Sequence, residues 1–473
     1  MARRLFIVLP AVLLGGLLLR PIHDVDIFWQ LRLGELALYH GKIVATEPFA
    51  AHHLGEPLAP LAWLGQIAMA AVRRLGGWSM LQVFDLLIWL GGFLAAAIAV
   101  RRKLAAPAGV VAALMLAFAS ALPFSSLRPQ SFAVLCFGVL IALQTSQRRW
   151  EVRLLSGAVL LVLWQNLHPS VAVGVLYLGA MAGWAWIEKL TGRSDQAPWQ
   201  ITALALFGGL AIFLTPMGTG FIAISASNAA ASSAMDVTEW HSVWSPVNGA
   251  LWPYLVLVPI VFLVVLLLHR TNLDWTWLFP SLVLLIASAF VIRFNLFWAI
   301  STIPVLAPML TPQAEGDRTA DRDCALALIG FGVAASLALA LYQPRFDQWL
   351  PLRGVAALKA AAVRGTVFGE LPWGGPLIDR GHPDWRVALD GRYYVYSDAE
   401  LSLARTVGTS PTGLDQIERS WAPSAVLLDP RYSSALIAQL RRASGTWREL
   451  RTGDASVAFV RIKASAPAGP TAP

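Results

Sequence analysis

His23-Asp24-Val25-Asp26-Ile27-Phe28-Trp29-Gln30-Leu31-Arg32-Leu33-Gly34-Glu35 follows directly on the first long apolar run of the chain. Two carboxylates stand two positions apart at what the flanking residues mark as a membrane–water boundary. An unpaired charge is expensive there and is usually kept for a reason. The organisation of the chain depends on which side this stretch faces and on what else faces it.

Composition sets the class. Of 473 residues, 57% are hydrophobic and 14% charged, with a mean hydropathy of +0.60. A soluble enzyme of this length carries more charge, so the composition specifies a polytopic membrane protein. The net charge of +8 does not point to nucleic acid, because the basic residues fall in short loops between apolar runs, where they control topology. The 20 Trp residues suit interfacial belts and sugar-stacking surfaces alike. Cys136, inside one apolar run, and Cys324, at the start of another, read as packing residues rather than a disulfide or metal site. The N-terminus has the Arg3-Arg4 start of a signal peptide but ends in Leu18-Leu19-Arg20-Pro21 with no small-residue cleavage site. It reads as a retained first transmembrane helix.

Apolar runs and basic loops then define an expected topology. Residues 5–20 form the first span with Arg3 and Arg4 cytoplasmic, and a polar loop follows to about Pro60. Within it, Asp26 to Tyr39 has an amphipathic helical pattern, with Arg32 and Glu35 on one face and Gly41 as a stop. That pattern suits a helix lying in the interface plane. Leu61 to Leu75 is apolar but short, ending in Arg73-Arg74 before Gly76-Gly77. As a full crossing it would deliver Arg101-Arg102-Lys103 outside, so it reads as re-entrant or interfacial, with the next crossing at 79–100. Further spans are expected at 107–122, 131–146, 154–168, 170–188, 199–214, 251–268, 275–292, 296–311 and 323–342. The total is about eleven crossings, an odd number that places the C-terminus outside.

After Tyr342 charges, Pro and Gly become frequent. Val367-Phe368, Arg386 to Leu389, Ala425 to Leu428 and Val457 to Ile462 read as strands, and Asp398 to Arg405 and Ser433 to Arg442 as helices. The expected architecture is therefore an all-α polytopic membrane domain over 1–342, with the loop 20–60 in it, and a small α/β extracytoplasmic domain over 343–462. Residues 463–473 form an Ala/Pro-rich tail expected to be disordered. No internal repeat is visible.

With this topology the unusual polar motifs converge on the outer face. Asp24 and Asp26 follow the first span, Arg128 lies in the turn Ser125 to Gln130, His168 ends Trp164 to His168, Glu239 lies in the loop from Asp236 to His241, and Arg293 precedes Phe294-Asn295. Ionisable groups gathered from several spans suggest a site, whereas the cytoplasmic loops offer basic stretches without acid–base pairs. Each residue also has a plainer reading. Asp24 or Asp26 suits a helix N-cap, but only one of them can cap. Arg128 and Arg293 suit headgroup anchoring, and His168 a satisfied interfacial histidine. Glu239 reads as a second acid or a carbohydrate contact. Trp29, Trp240 and Trp244 are interface residues before they are sugar platforms. The adjacent His52-His53 lack a third spaced partner for a metal.

Asp24-Val25-Asp26 with Trp29, Arg32 and Gly34, then Glu47-Pro48-Phe49, resembles the first outer loop of bacterial C-type (GT-C) glycosyltransferases. The chain looks similar to polytopic relatives of the Rgt-type lipopolysaccharide sugar transferases, with protein O-mannosyltransferases and aminoarabinose transferases as more distant kin. Leu127-Arg128-Pro129-Gln130, Trp164 to His168, Glu239-Trp240, Arg293-Phe294, Trp373-Gly374-Gly375 and Asp390-Gly391-Arg392 with Tyr396 extend the likeness over most of the chain. The resemblance implies a GT-C fold and a membrane glycosyltransferase of the bacterial inner membrane, working on the periplasmic side of the cell envelope. It implies a polyprenyl-phosphate sugar as donor and a glycan, lipid or protein as acceptor. Asp26 or Asp24 would be the base that takes the acceptor proton. No cofactor is implied, and a divalent metal is left open.

The physics fits this division of labour. A polyprenyl tail stays in lipid and leaves its phosphate at the interface, where Arg128 and Arg293 would hold its oxygens, with His168 as helper and Glu239 and Trp29 as further substrate contacts. A carboxylate across the sugar suits direct displacement with inversion. No Gly-rich phosphate loop precedes a helix, in keeping with a lipid donor. Two rivals stand beside this reading. A lipid or polysaccharide flippase would carry charged or helix-breaking residues near span centres, and a non-catalytic envelope scaffold would make Asp24 and Asp26 dispensable.

Overall fold

The computed structural model describes residues 1–195, 198–313, 317 and 319–462. The tail expected at 463–473 lies outside the described residues. The chain forms two compact units, one of Met1–Ile22 with Pro60–Arg345, the other of His23–Ala59 with the chain from Phe346 onward. By its packing, the first polar loop goes with the C-terminal region, although its place in the sequence groups it with the spans.

The first unit is helical. Trp63–Lys103, Pro107–Phe124, Val171–Leu190, Ile292–Leu310 and Ala320–Leu341 are long and apolar enough to cross a bilayer, and Gln130–Gln144, Trp199–Ala211, Pro253–Leu268 and Trp275–Phe290 are shorter apolar helices. By length and composition this is a multi-pass membrane protein. The 41-residue Trp63–Lys103 stretch is broken at Gly76 and Gly77, where Gly77 has φ 65°. A short apolar segment therefore precedes a second one, in the places where the charge pattern separates them.

In lipid there is no hydrophobic drive between helices, so close packing has to hold them. Gly92 and Gly138 serve this purpose. A Cβ at Gly138 would lie 1.9 Å from the Gly92 carbonyl oxygen, and one at Gly92 2.2 Å from that of Val134. Only glycines let Trp63–Lys103 and Gln130–Gln144 approach this closely. Around the contact, the Phe137 ring meets Trp164, Tyr177 and Phe297 edge-on, with centroids 6.1, 5.1 and 5.5 Å away. Cys136 and Cys324 are buried, free and part of this core.

One polar cluster centres on the fully buried pair Arg101 and Asp323. Arg101 bonds Asp317 at 2.8 Å and Asp323 at 3.0 Å, and Arg3 bonds Asp323 as well. The basic loops are therefore not without acid partners, contrary to the sequence reading, because Arg101 and Asp323 meet across 222 residues of chain. The three segments involved are ones that the charge pattern assigns to a single face.

The second unit is an α/β structure. Its strands are β1 (Gly365–Gly369), β2 (Trp385–Val387), β3 (Ala425–Leu428), β4 (Trp447–Leu450) and β5 (Val457–Arg461). The sheet order is β2-β1-β3-β5-β4. β1 is parallel to β2 and β3, and β5 is antiparallel to β3 and β4. The first polar loop joins this sheet. Ala51 N–H donates to the Val387 carbonyl at 2.9 Å and Val387 N–H to that of Phe49 at 3.0 Å. The Asp26–His40 helix ends at Gly41 in the left-handed region, φ 64°, as helix C-termini favour. It buries Trp29 and Leu33 in a core shared with Phe49, Trp373, Leu377 and Val387.

Candidate functional site

Four residues singled out from the sequence come together in the first unit. Arg128 follows the turn Leu122–Phe124 and precedes the Gln130–Gln144 helix, with its Nε donating to Ser126 Oγ at 2.7 Å. Arg293 sits in the single turn Ile292–Phe294 between two apolar helices. Glu239 is carried by the turn Thr238–Trp240. That turn is pinned at its C-terminal side, where Ile292 N–H donates to the His241 carbonyl at 3.1 Å and Val243 N–H to the Ala289 carbonyl at 3.0 Å. These bonds bring Glu239 to Arg293 although 54 residues separate them.

The three charges share one atom. Glu239 Oε1 lies 3.2 Å from Arg293 Nη1 and 3.5 Å from Arg128 Nη1. The Arg293 guanidinium also lies over the Trp240 ring, 5.1 Å from its centroid, a favourable cation–π position. Burial alone would raise the Glu239 carboxyl, and the charges of Arg293 and Arg128 overcome that and hold it below the usual carboxylate range. His168 closes the Trp150–Leu167 helix, stands in the field of both arginines and pairs through Nδ1 with Ser170 Oγ at 2.8 Å. Trp164 Nε1 donates to the same Oγ at 3.0 Å. The arginine side chains are 23% and 24% exposed and that of Glu239 17%. The cluster is therefore sheltered but reachable, and two guanidiniums aimed at one oxygen form a receptor for an anion.

Asp24, Asp26 and Trp29 belong to the second unit. Asp24 Oδ1 accepts the Asp26 backbone N–H at 2.8 Å, but the N-cap of the Asp26–His40 helix is Val25, with no side-chain cap, so neither aspartate is the N-cap that the plainer reading expects. Asp26 Oδ1 accepts the Trp29 indole N–H at 3.0 Å. Trp29 is 8% exposed and lies beneath Arg392, 5.8 Å from ring centroid to guanidinium.

The glycines of the C-terminal motifs explain how this stretch is seated. A Cβ on Gly375 would lie 2.1 Å from the Val25 carbonyl oxygen, and one on Gly391 2.6 Å from Asp26 Oδ1. Gly375 therefore requires a residue without a side chain, and a side chain at Gly391 would have to push the Asp26 carboxylate aside. Beneath it lies a buried ion network that the sequence did not announce as such. Arg392 Nη1 and Nη2 bond the two Glu47 oxygens at 2.5 and 2.9 Å. Its Nε and Nη2 bond those of Asp390 at 2.9 and 2.6 Å, and Tyr396 donates to Asp390 at 2.7 Å. Glu47 Oε1 also accepts the N–H groups of Phe49 and Ala50, each at 2.7 Å. The motifs were visible in the sequence, but the pairing of Glu47 with Arg392 spans 345 residues. Among the described residues no group of three or more His, Cys, Asp and Glu side chains is arranged to hold a metal.

Among solved structures, the chain is similar to ArnT from Cupriavidus metallidurans in the apo state, with a TM-score of 0.55 and 12% identity over 97% of this chain and 98% of that one. It is also similar to the apo oligosaccharyltransferase of Archaeoglobus fulgidus, with a TM-score of 0.45 and 10% identity over 90% of this chain and 69% of that one. No family model matches the chain, and no curated protein matches it in sequence. The likeness to ArnT covers nearly the whole of both chains and identifies the fold as GT-C.

Proposed function

We propose that the chain is an integral-membrane glycosyltransferase that moves a sugar from a polyprenyl-phosphate donor to a glycan, lipid or protein acceptor on the non-cytoplasmic face. The observation that carries this reading is the convergence of Arg128, Arg293, Glu239 and His168 from four separate turns and helix ends on one sheltered position. Two arginines at such a place can hold the donor phosphate and stabilise the charge it gains as the sugar leaves. The GT-C fold agrees with this, although a fold by itself does not specify chemistry. On this reading Asp26 or Asp24 takes the proton of the acceptor hydroxyl. The acceptor oxygen then displaces the polyprenyl phosphate at the anomeric carbon, and the configuration inverts. About eleven crossings, a cytoplasmic N-terminus and an outward-facing C-terminal unit in the bacterial inner membrane belong to the same proposal.

The test replaces Asp24, Asp26 or both by Asn in the full chain and measures sugar transfer from a lipid-phosphate donor in membranes. The double variant is expected to lose transfer, by a factor of about 10²–10⁴ if a general base is removed. Normal transfer by the double variant would overturn the reading. Reporter fusions at Lys103 and Pro473 test the topology, with Lys103 expected inside and Pro473 outside.

A further inference from the structure

Both guanidiniums meet the same oxygen of a single carboxylate, Glu239 Oε1. To an arginine, a carboxylate and a phosphate offer the same thing, negatively charged oxygens that accept its N–H groups. Glu239 therefore stands where an incoming phosphate would find its donors. Two arginines this close in a half-buried place repel one another unless an anion lies between them, and among the described residues Glu239 is the acid that bridges them. The backbone beside Glu239 is tied down by the bonds from Ile292 and Val243. Displacement of the carboxylate would therefore fall on its side chain and not on that segment.

We infer that Glu239 is a resident counter-ion which a lipid-borne phosphate displaces from Arg128 and Arg293 as it binds. The inference rests on the glycosyltransferase reading above and adds a role for this residue. Glu239 keeps the arginines paired and apart from stray anions while the site is empty. It also weakens phosphate binding by competing for the same N–H groups, which favours release of the spent polyprenyl phosphate.

The experiment titrates the full chain, in nanodiscs of zwitterionic lipid, with polyprenyl phosphate. It compares wild type with Glu239→Gln, which keeps the shape and removes the charge. Binding to E239Q is expected to be about tenfold tighter, the scale on which close charge pairs couple. Equal or weaker binding by E239Q, with an unchanged melting temperature, would overturn the inference while leaving the glycosyltransferase reading intact. If E239Q melts lower than wild type, Glu239→Asp decides instead. Its shorter side chain keeps the charge but loosens the bridge, so it should bind about threefold tighter, and no gain overturns the inference. Failure of wild type and variants alike to bind polyprenyl phosphate would sink the reading itself and this inference with it. Inorganic phosphate is added as competitor to separate a lipid headgroup from a free anion. It should displace the lipid only in large excess, and displacement at equal concentration overturns the lipid source.

Discussion

Replacing Arg392 with Met removes the only cation of the Glu47–Arg392–Asp390 network while keeping most of the side-chain volume. Arg392 and Asp390 are both fully buried, at 1% and 0% exposure, and Glu47 is at 3%. In the variant two buried carboxylates lose the four hydrogen bonds that Arg392 supplies. Breaking one buried ion pair from one side costs about 3–5 kcal/mol, and here one substitution breaks two, so a loss of at least about 4 kcal/mol is expected. Against a domain stability of roughly 5–15 kcal/mol, that releases the 44–58 segment from the sheet or unfolds the unit. Glu47→Gln leaves the Arg392–Asp390 pair intact and should cost about 1.5–3 kcal/mol, the worth of charged hydrogen bonds. Burial alone would raise the Asp390 carboxyl, and the neighbouring Arg392 charge overcomes this and lowers it. In wild type, then, the contribution of Asp390 is fully present above the unfolded value near 4 and is lost as pH falls through the lower folded value. In R392M the Asp390 carboxyl, no longer held down by the Arg392 charge, escapes its penalty by taking up a proton, so the deficit should shrink between pH 8 and pH 5. Hydrogen exchange by mass spectrometry on the full chain in detergent, read over peptides covering 44–58 and 386–396, measures the local loss. A change under about 1 kcal/mol at pH 8, or a deficit that grows on acidification, would refute the reasoning.

Gly391→Ala would drive a methyl group against the Asp26 carboxylate and is expected to cost about 1–3 kcal/mol of overpacking. On the proposed reading, loss of sugar transfer should exceed loss of folded protein, and a variant with full transfer would show that the seat of Asp26 does not matter. Gly138→Val would wedge Trp63–Lys103 from Gln130–Gln144, lowering the melting temperature of the detergent-solubilised chain, with an expected cost above about 2 kcal/mol. Burial would lower the His53 imidazole, but its hydrogen bonds to Glu56 and Glu400 overcome that and raise it. Its contribution is therefore complete below the unfolded value near 6.5 and fades as pH rises through the raised folded one. His53→Gln should destabilise the chain more at pH 6 than at pH 8.5, by no more than about 1 kcal/mol for so open a pair. Equal melting shifts at the two pH values would contradict this.

How much of this was legible in the sequence follows from what each feature depends on. Local patterns sufficed for the helix from Asp26, expected to Tyr39 and found to His40, and for its stop at Gly41. Ala425 to Leu428, an unbroken apolar run, is a strand as expected, and it proves fully buried at the centre of the sheet. Trp447–Leu450 went unread because it is an edge strand whose Arg448 and Glu449 are exposed, and charge on an edge hides the period of a strand while protecting it. Gly374–Gly381 went unread as a helix because its Gly-Gly-Pro start reads as a turn, and it tolerates that start because it packs against the acidic stretch. At the candidate site the residue types were legible and their pairings were not. Glu239 bridging Arg128 and Arg293, and Glu47 facing Arg392, are long-range contacts that no local pattern encodes.

The second unit is assembled from two stretches that leave the ribosome far apart in time. Glu47 emerges 345 residues before Arg392, which at the usual pace of synthesis is a delay on the order of 17–70 seconds. Through that interval the nascent acidic loop has neither its sheet nor its cation, and it must wait unfinished until the last quarter of the chain arrives. A protein terminated early would carry the aspartates yet never seat them. The architecture thus makes completion of translation a condition for a working loop.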